Sequence, residues 1–343
     1  MILKECSDGK DNIVSLIKFI AAVMVIFNHS FPITGSGSDY ISVASGGQTT
    51  FGGIAVAIFF FYGGFLIMRS MEHKKTAASF FKARSLRIFP QLIIVIILSV
   101  FVLGAIISDC SLVEYFSNLN TYKYLLNCVM IPIHSLPGVF LNSKYNSTVN
   151  GSLWTLPVEF LCYVFCYLFY RFRLNNRKYA VWTVPFIVIA YLILWKILSG
   201  ILILRAVLTP AMLFYTGMIY YIYRDKIKLY WYISVILLCA LIVGIYFNIY
   251  YLIALVALPY IFSYLGFSYK ISKIDINKNL LVKSSYGIYL VAFPIQQTLC
   301  VMNSNMSQMT NFLLATVVSG VLGCVLTLLD KRINAFIKKG SAK

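Results

Sequence analysis

The sequence predicts an all-α integral membrane protein, a bundle of about ten transmembrane helices with both termini cytoplasmic. Three observations lead there. Of 343 residues, 60% are hydrophobic and 12% charged, against roughly 45–50% and about 25% in an ordinary soluble domain, and the mean hydropathy is +0.82. Apolar runs recur at the length a bilayer demands, about 20 residues at 1.5 Å rise each. Positive charge falls almost wholly on alternate connections. This composition excludes a disordered chain, a coiled coil, a collagen and a soluble enzyme. The formal net charge of +18 would suggest nucleic acid in a soluble protein. Here it reads as loops held on the cytoplasmic side, and no nucleic-acid partner is expected.

Ten runs qualify as spans: 12–31, 51–68, 86–108, 153–170, 180–199, 205–222, 229–247, 250–268, 285–302 and 311–330. An eleventh run, 121–133, is too short to cross comfortably. Charge decides its status. With the N-terminus inside and 121–133 not crossing, the inner segments hold 24 of the 29 Lys and Arg residues. The outer ones hold three: Lys123, Lys144 and Arg205. If 121–133 crossed, Arg171, Arg173, Arg177 and Lys178 would lie outside, against the positive-inside rule. The expected organisation is one membrane domain, 1–343, with a long outer loop at about 109–152 carrying a short re-entrant or interfacial helix at 121–133. The first span lacks a convincing cleavage site for a signal peptide. No soluble domain, linker or internal repeat is expected.

The eight cysteines form no CxxC pair and there are three histidines, so neither a zinc site nor a disulfide framework is expected.

Ionisable groups within spans are costly and are functional candidates by default. They are Lys18, His29, Glu159 and Lys196, with Arg84, Arg87 and Arg205 at span edges. Lys18 and His29 are 11 residues apart in KFIAAVMVIFNH. At 100° per residue they share one helix face, separated by about 16.5 Å along the axis. Lys18 lies near the inner end, either snorkelling to headgroups or serving a site. His29 lies near the outer end, either snorkelling to the outer interface or serving a site, imidazole being the usual general base around neutral pH. Arg84 and Arg87, in RSLR, share a helical face. They are either an ordinary positive flank or a bidentate grip on phosphates. Glu159, in NGSLWTLPVEF, enters the fourth span at a depth similar to His29. A lone buried carboxylate needs a partner, and His29 or an arginine is the simplest; Glu159 serves either a site or a structural helix-to-helix bond. Trp154 serves either an interfacial belt or a substrate platform. Lys196 and Arg205 either snorkel or hold an anionic acceptor. Ser152 is not a nucleophile elbow, because G-x-S-x-G is absent.

Taken in order, these elements resemble the acyltransferase-3 family of bacterial integral-membrane acyltransferases. The resemblance rests on Lys18 and His29 in the first span, on Arg84 and Arg87 at the third, on GSLWTLPVE with Trp154 and Glu159, and on SYGIYL at 285–290. GGIAVAIFFFYGGFLI, residues 52–67, also looks like the family's second span. Two departures stand out: Gly63 where the family usually has Ser, and Ala292 where it often has His.

The resemblance implies transfer of an acetyl or similar acyl group from acyl-coenzyme A, typically acetyl-CoA, to a hydroxyl of a cell-surface glycan or lipid-linked saccharide, in a bacterial inner membrane. Lys18, Arg84 and Arg87 would receive the donor phosphates. His29 would act as general base or transient acyl carrier, Glu159 would orient it, and Trp154 and Arg205 would serve the acceptor. No metal is implied. The competing classes are a multispanning transporter or glycan flippase and a non-catalytic scaffold. Against the transporter, no two-fold repeat of broken apolar segments is visible.

Overall fold

The computed structural model describes residues 1–8, 12–73, 76–198, 202–268 and 279–340. Their regular structure is all helical, with no strand; Ile2 and Lys228 form one isolated antiparallel bridge. The long helices are α1 (Val14–Ile33), α2 (Phe51–His73), α3 (Ala77–Leu98), α4 (Thr155–Arg171), α5 (Arg177–Ile197), α6 (Leu202–Ile222), α7 (Trp231–Tyr246), α8 (Tyr250–Ser268), α9 (Ser285–Met302) and α10 (Gln308–Gly340). Each expected span coincides with one of them. Seven helices among the described residues are long and apolar enough to cross a membrane. Trp231–Tyr246 is a shorter apolar helix, as is the Val207–Ile222 part of α6. The sixteen residues of Trp231–Tyr246 rise only about 24 Å, against a hydrocarbon core of about 30 Å. The helix α9 is diluted by Gln296, Gln297 and Thr298.

Two of the differences from the expected boundaries share one reason. The third helix starts at Ala77 rather than 86, and α10 runs to Gly340 rather than 330. The added stretches carry Lys82 and Arg84, or Lys331 and Arg332. Such residues lower hydropathy, but Lys and Arg are good helix formers. The Thr76 hydroxyl caps the start of α3, accepting from the Ser79 amide at 3.2 Å. Beyond Leu98 the chain continues through one wide π turn, Ser99–Leu103, into Gly104–Ile107.

The chain forms two compact units. The first comprises Met1–Lys18, Ile41–Phe80 and Val158–Asn277. Its centre is the contact of α2 with α6, made close by paired glycines. A Cβ on Gly64 would lie 1.9 Å from the Phe214 carbonyl oxygen, and one on Gly217 2.2 Å from the Phe61 carbonyl oxygen. Tyr62 donates to the Phe262 carbonyl at 2.7 Å, tying α2 to α8. Gln48 donates to the Ile245 carbonyl at 2.7 Å and accepts from the Tyr250 amide, closing the α7–α8 turn.

The second unit comprises Phe19–Tyr40, Phe81–Pro157 and Lys278–Lys343. In it α9 packs on α10 through Gly287 and Gly323; a Cβ on Gly287 would lie 3.0 Å from the Gly323 carbonyl oxygen. Gln296 donates to the Ile26 carbonyl at 2.9 Å and to Asn311 Oδ1 at 3.0 Å, tying α1 and α10 to α9. The 108–150 segment carries short helices at Leu112–Ser117 and Leu119–Lys123 and a tighter turn at Tyr124–Val129. It ends at Met130, in the left-handed region at φ 64°. The Ser111 amide and hydroxyl bond Glu114 in a capping box and hold its carboxyl below the usual range.

Candidate active site

Helical prolines create the site's anchors. Proline has no N–H, so it leaves unbonded the carbonyl four residues before it. Pro294 in α9 frees the Leu290 carbonyl, and the buried Asn150 side chain donates to it at 2.8 Å. The other end of the same amide caps the short turn Gly151–Trp154, accepting from the Ser152 amide at 3.0 Å. One residue thereby starts the GSLW turn and fixes it to the SYGIYL helix. The Tyr289 hydroxyl repeats the link, donating to the Ser152 carbonyl at 2.7 Å and lying 2.7 Å from Thr155 Oγ1. Lower in the same unit, Pro90 frees the Leu86 carbonyl, which accepts from Asn334 Nδ2 of α10 at 3.3 Å.

Phe293 is the hub of the upper cluster. Its ring, 2% exposed, meets the His29 imidazole edge to face with centroids 5.1 Å apart and planes at 78°. Tyr145 approaches at 5.7 Å. Gly151 completes the enclosure, since a Cβ there would lie 2.7 Å from Phe293 Cε2. Gln297, four residues on, holds the Asn146 and Thr148 carbonyls at 3.2 and 3.1 Å and accepts from the Ser143 hydroxyl at 2.6 Å. His29, the GSLW turn and the SYGIYL helix therefore meet in one unit. Two of its buried polar atoms, His29 Nδ1 and Ser152 Oγ, have no hydrogen-bond partner among the described residues.

The RSLR element belongs to the same unit, one turn and more inside α3 rather than at its start. Arg84 is half-buried and Arg87 exposed. The carbonyls beside Arg87 are both held: Leu86 by Asn334, and Ile88 by the Tyr286 hydroxyl at 3.1 Å. Trp154, half-buried, closes the GSLW turn. Lys18 and Glu159 fall in the other unit. Lys18 is buried, on the continuous α1 that also carries His29. Glu159 accepts a hydrogen bond from Tyr163, one turn along α4. Its partner is thus a phenol on its own helix, where a histidine or arginine was expected. The Arg205 side chain lies outside the described residues, as does most of the 269–284 connection. Lys196 is exposed at the end of α5.

Asn150, Tyr289 and Phe293 were not singled out by sequence reasoning. A signal for Asn150 existed: an Asn directly before a helical turn is a preferred cap. The pairing of a buried Asn with a carbonyl freed by Pro294 was also readable in principle. Nothing marks Phe293 among 26 phenylalanines. Among the described residues, no group of three or more His, Cys, Asp and Glu could hold a metal ion.

This arrangement, with seven membrane-length helices among the described residues, defines a multi-pass membrane protein. A family model described as "Acyltransferase domain" matches residues 11–329, and the chain belongs to this acyltransferase-3 family. It is similar to an O-acetyl transferase of Shigella phage Sf6, 34% identical over 179 residues, covering 52% of this chain and 51% of that protein. It is also similar to Nodulation protein 10 of Rhizobium leguminosarum bv. viciae, 31% identical over 164 residues, covering 47% and 44%. The chain spans about half the length of these curated relatives. No solved structure matches it.

Proposed function

We propose that the protein is a membrane-bound O-acyltransferase that moves acetyl from acetyl-CoA to a hydroxyl of a cell-surface or lipid-linked glycan. The carrying observation is His29: its ring is fixed by Phe293, while Nδ1 is buried and without a partner among the described residues. A buried polar atom left unmade costs about 1–3 kcal/mol, and a site that turns over a hydroxyl has a use for it. In the proposed step the imidazole takes the proton of the acceptor hydroxyl. The oxygen forms a bond to the thioester carbonyl carbon, the C–S bond breaks, and the thiolate leaves and is protonated. Arg84 and Arg87 grip the donor phosphates, and Lys18 adds positive charge for them. Glu159 and Trp154 serve orientation and the acceptor mouth. Arg205 is proposed for the acceptor on its charge and place in sequence alone.

The charge asymmetry supports a bacterial inner-membrane orientation with both termini cytoplasmic. The relative named as an O-acetyl transferase supports the acetyl group. The test supplies membranes carrying the chain with radiolabelled acetyl-CoA and follows label into surface polysaccharide. Label appearing on glycan as base-labile ester is expected. Glycan that crosses the membrane chemically unaltered, with no label transferred, overturns the reading in favour of transport.

A further inference from the structure

A cleft of about 520 Å³ in the first unit has no part in the site above. That volume is in the range that takes small organic ligands. Two guanidiniums line it, Arg171 and Arg173, with the Asn175 amide, the Thr76 hydroxyl and the rings of Tyr167 and Tyr170. No acidic side chain is among its described lining residues.

Local structure explains how the arginines arrive there. The helix α4 ends at Arg171, and the chain reverses through bonds from the Leu174 amide to the Phe169 carbonyl (3.0 Å) and from the Arg173 amide to the Tyr170 carbonyl (2.9 Å). This is a Schellman end, whose left-handed position favours glycine or asparagine. Arg173 occupies it at φ 58°. An arginine here is not explained by the needs of the turn. Other arginines of this unit are engaged: Arg177 with Asp225, Arg224 with Glu72, and Arg69 with the Ser7 carbonyl. The side chains of Arg171 and Arg173 have neither hydrogen-bond nor ion-pair partner among the described residues.

Paired guanidiniums suit phosphate, an amide and a hydroxyl add donors, and flat phenol rings suit a purine face. We infer that this cleft binds a phosphate-bearing purine nucleotide, namely the adenosine 3′,5′-bisphosphate end of a coenzyme A donor. The assignment rests on the acyl-donor reading above and extends it to residues no motif marks. An anionic lipid headgroup offers the same phosphate chemistry without the purine.

The test titrates the purified full chain in detergent with adenosine 3′,5′-bisphosphate, with intact coenzyme A and, separately, with dioctanoyl phosphatidylglycerol. The variant is Arg171→Gln/Arg173→Asn, in which asparagine tolerates the left-handed backbone. Arg171→Gln and Asn175→Ala singly guard against misfolding, with thermal unfolding as the check. The double variant is expected to weaken the bisphosphate by tenfold or more, as the loss of charge-assisted bonds predicts, and to leave the lipid unaffected. Unchanged bisphosphate affinity in well-folded variants, with coenzyme A still bound, overturns the cleft assignment and leaves the donor reading standing. Loss of lipid binding alone assigns the cleft to headgroups and also overturns it. A wild-type chain that binds neither coenzyme A nor the bisphosphate removes both.

Discussion

Replacing Gly151 with alanine perturbs the hub by one methyl group. Gly151 does not sit in the left-handed region, so alanine meets no backbone penalty and the effect is purely steric. The new Cβ would stand 2.7 Å from Phe293 Cε2 and 2.9 Å from Cζ. Carbon atoms rest at about 3.5–4.0 Å, so the ring must retreat by roughly 1 Å. Tyr145 and His29 both pack on that ring, so the displacement passes to the imidazole. Overpacking of this kind costs about 1–3 kcal/mol in stability. A misplacement of about 1 Å at a catalytic group costs on the order of 100-fold in rate. Thermal unfolding in detergent reads the first quantity and labelled acetyl transfer the second. Phe293→Leu in the Gly151→Ala background relieves the clash, so the two changes couple by about 0.5–3 kcal/mol. Wild-type rate and melting in Gly151→Ala, or strict additivity in the double variant, would refute the hub.

The same geometry carries further predictions. Asn150→Ala strands the Leu290 carbonyl and removes a cap, at about 1–3 kcal/mol. Adding Pro294→Ala returns a backbone N–H to that carbonyl, so the double variant is expected to melt above Asn150→Ala alone; a lower melting temperature rejects the freed-carbonyl account. Gly64→Ala places a Cβ 1.9 Å from the Phe214 carbonyl oxygen and is expected to prevent α2 and α6 from closing. Gly63→Ser, whose Cβ meets the Phe214 ring at 3.5 Å, is expected to leave the unfolding temperature near wild type. Arg84→Gln/Arg87→Gln is expected to raise KM for the donor by tenfold or more with a smaller change in kcat, as lost ground-state binding requires; an unchanged KM removes the phosphate grip.

Hydropathy made the helices legible, because a run of Val, Ile, Leu and Phe near 20 residues long admits little else. It misplaced the ends of α3 and α10, because Lys82, Arg84 and Lys331 lower hydropathy while remaining good helix residues. His29, Arg84, Arg87 and Trp154 stood out by chemistry, as charged or amphipathic groups where lipid excludes them. Phe293 and Gly151 did not, because an aromatic hub in a phenylalanine-rich chain is defined only by what packs on it. Glu159 was legible as a carboxylate needing a partner. Which partner was not: a phenol at i+4 on the same helix is as near in sequence as any candidate, and charge pairing was the stronger prior.

The central claim is that His29 handles the proton of the acceptor hydroxyl. Its most direct measurement is single-turnover acetyl transfer by membranes carrying His29→Gln, matched to wild type for protein amount, melting temperature and coenzyme A affinity. Losing a positioned general base lowers the rate by about 10²–10⁴-fold, and a fall of that size with donor binding intact is the expected result. A His29→Gln protein that transfers acetyl at the wild-type rate contradicts the account.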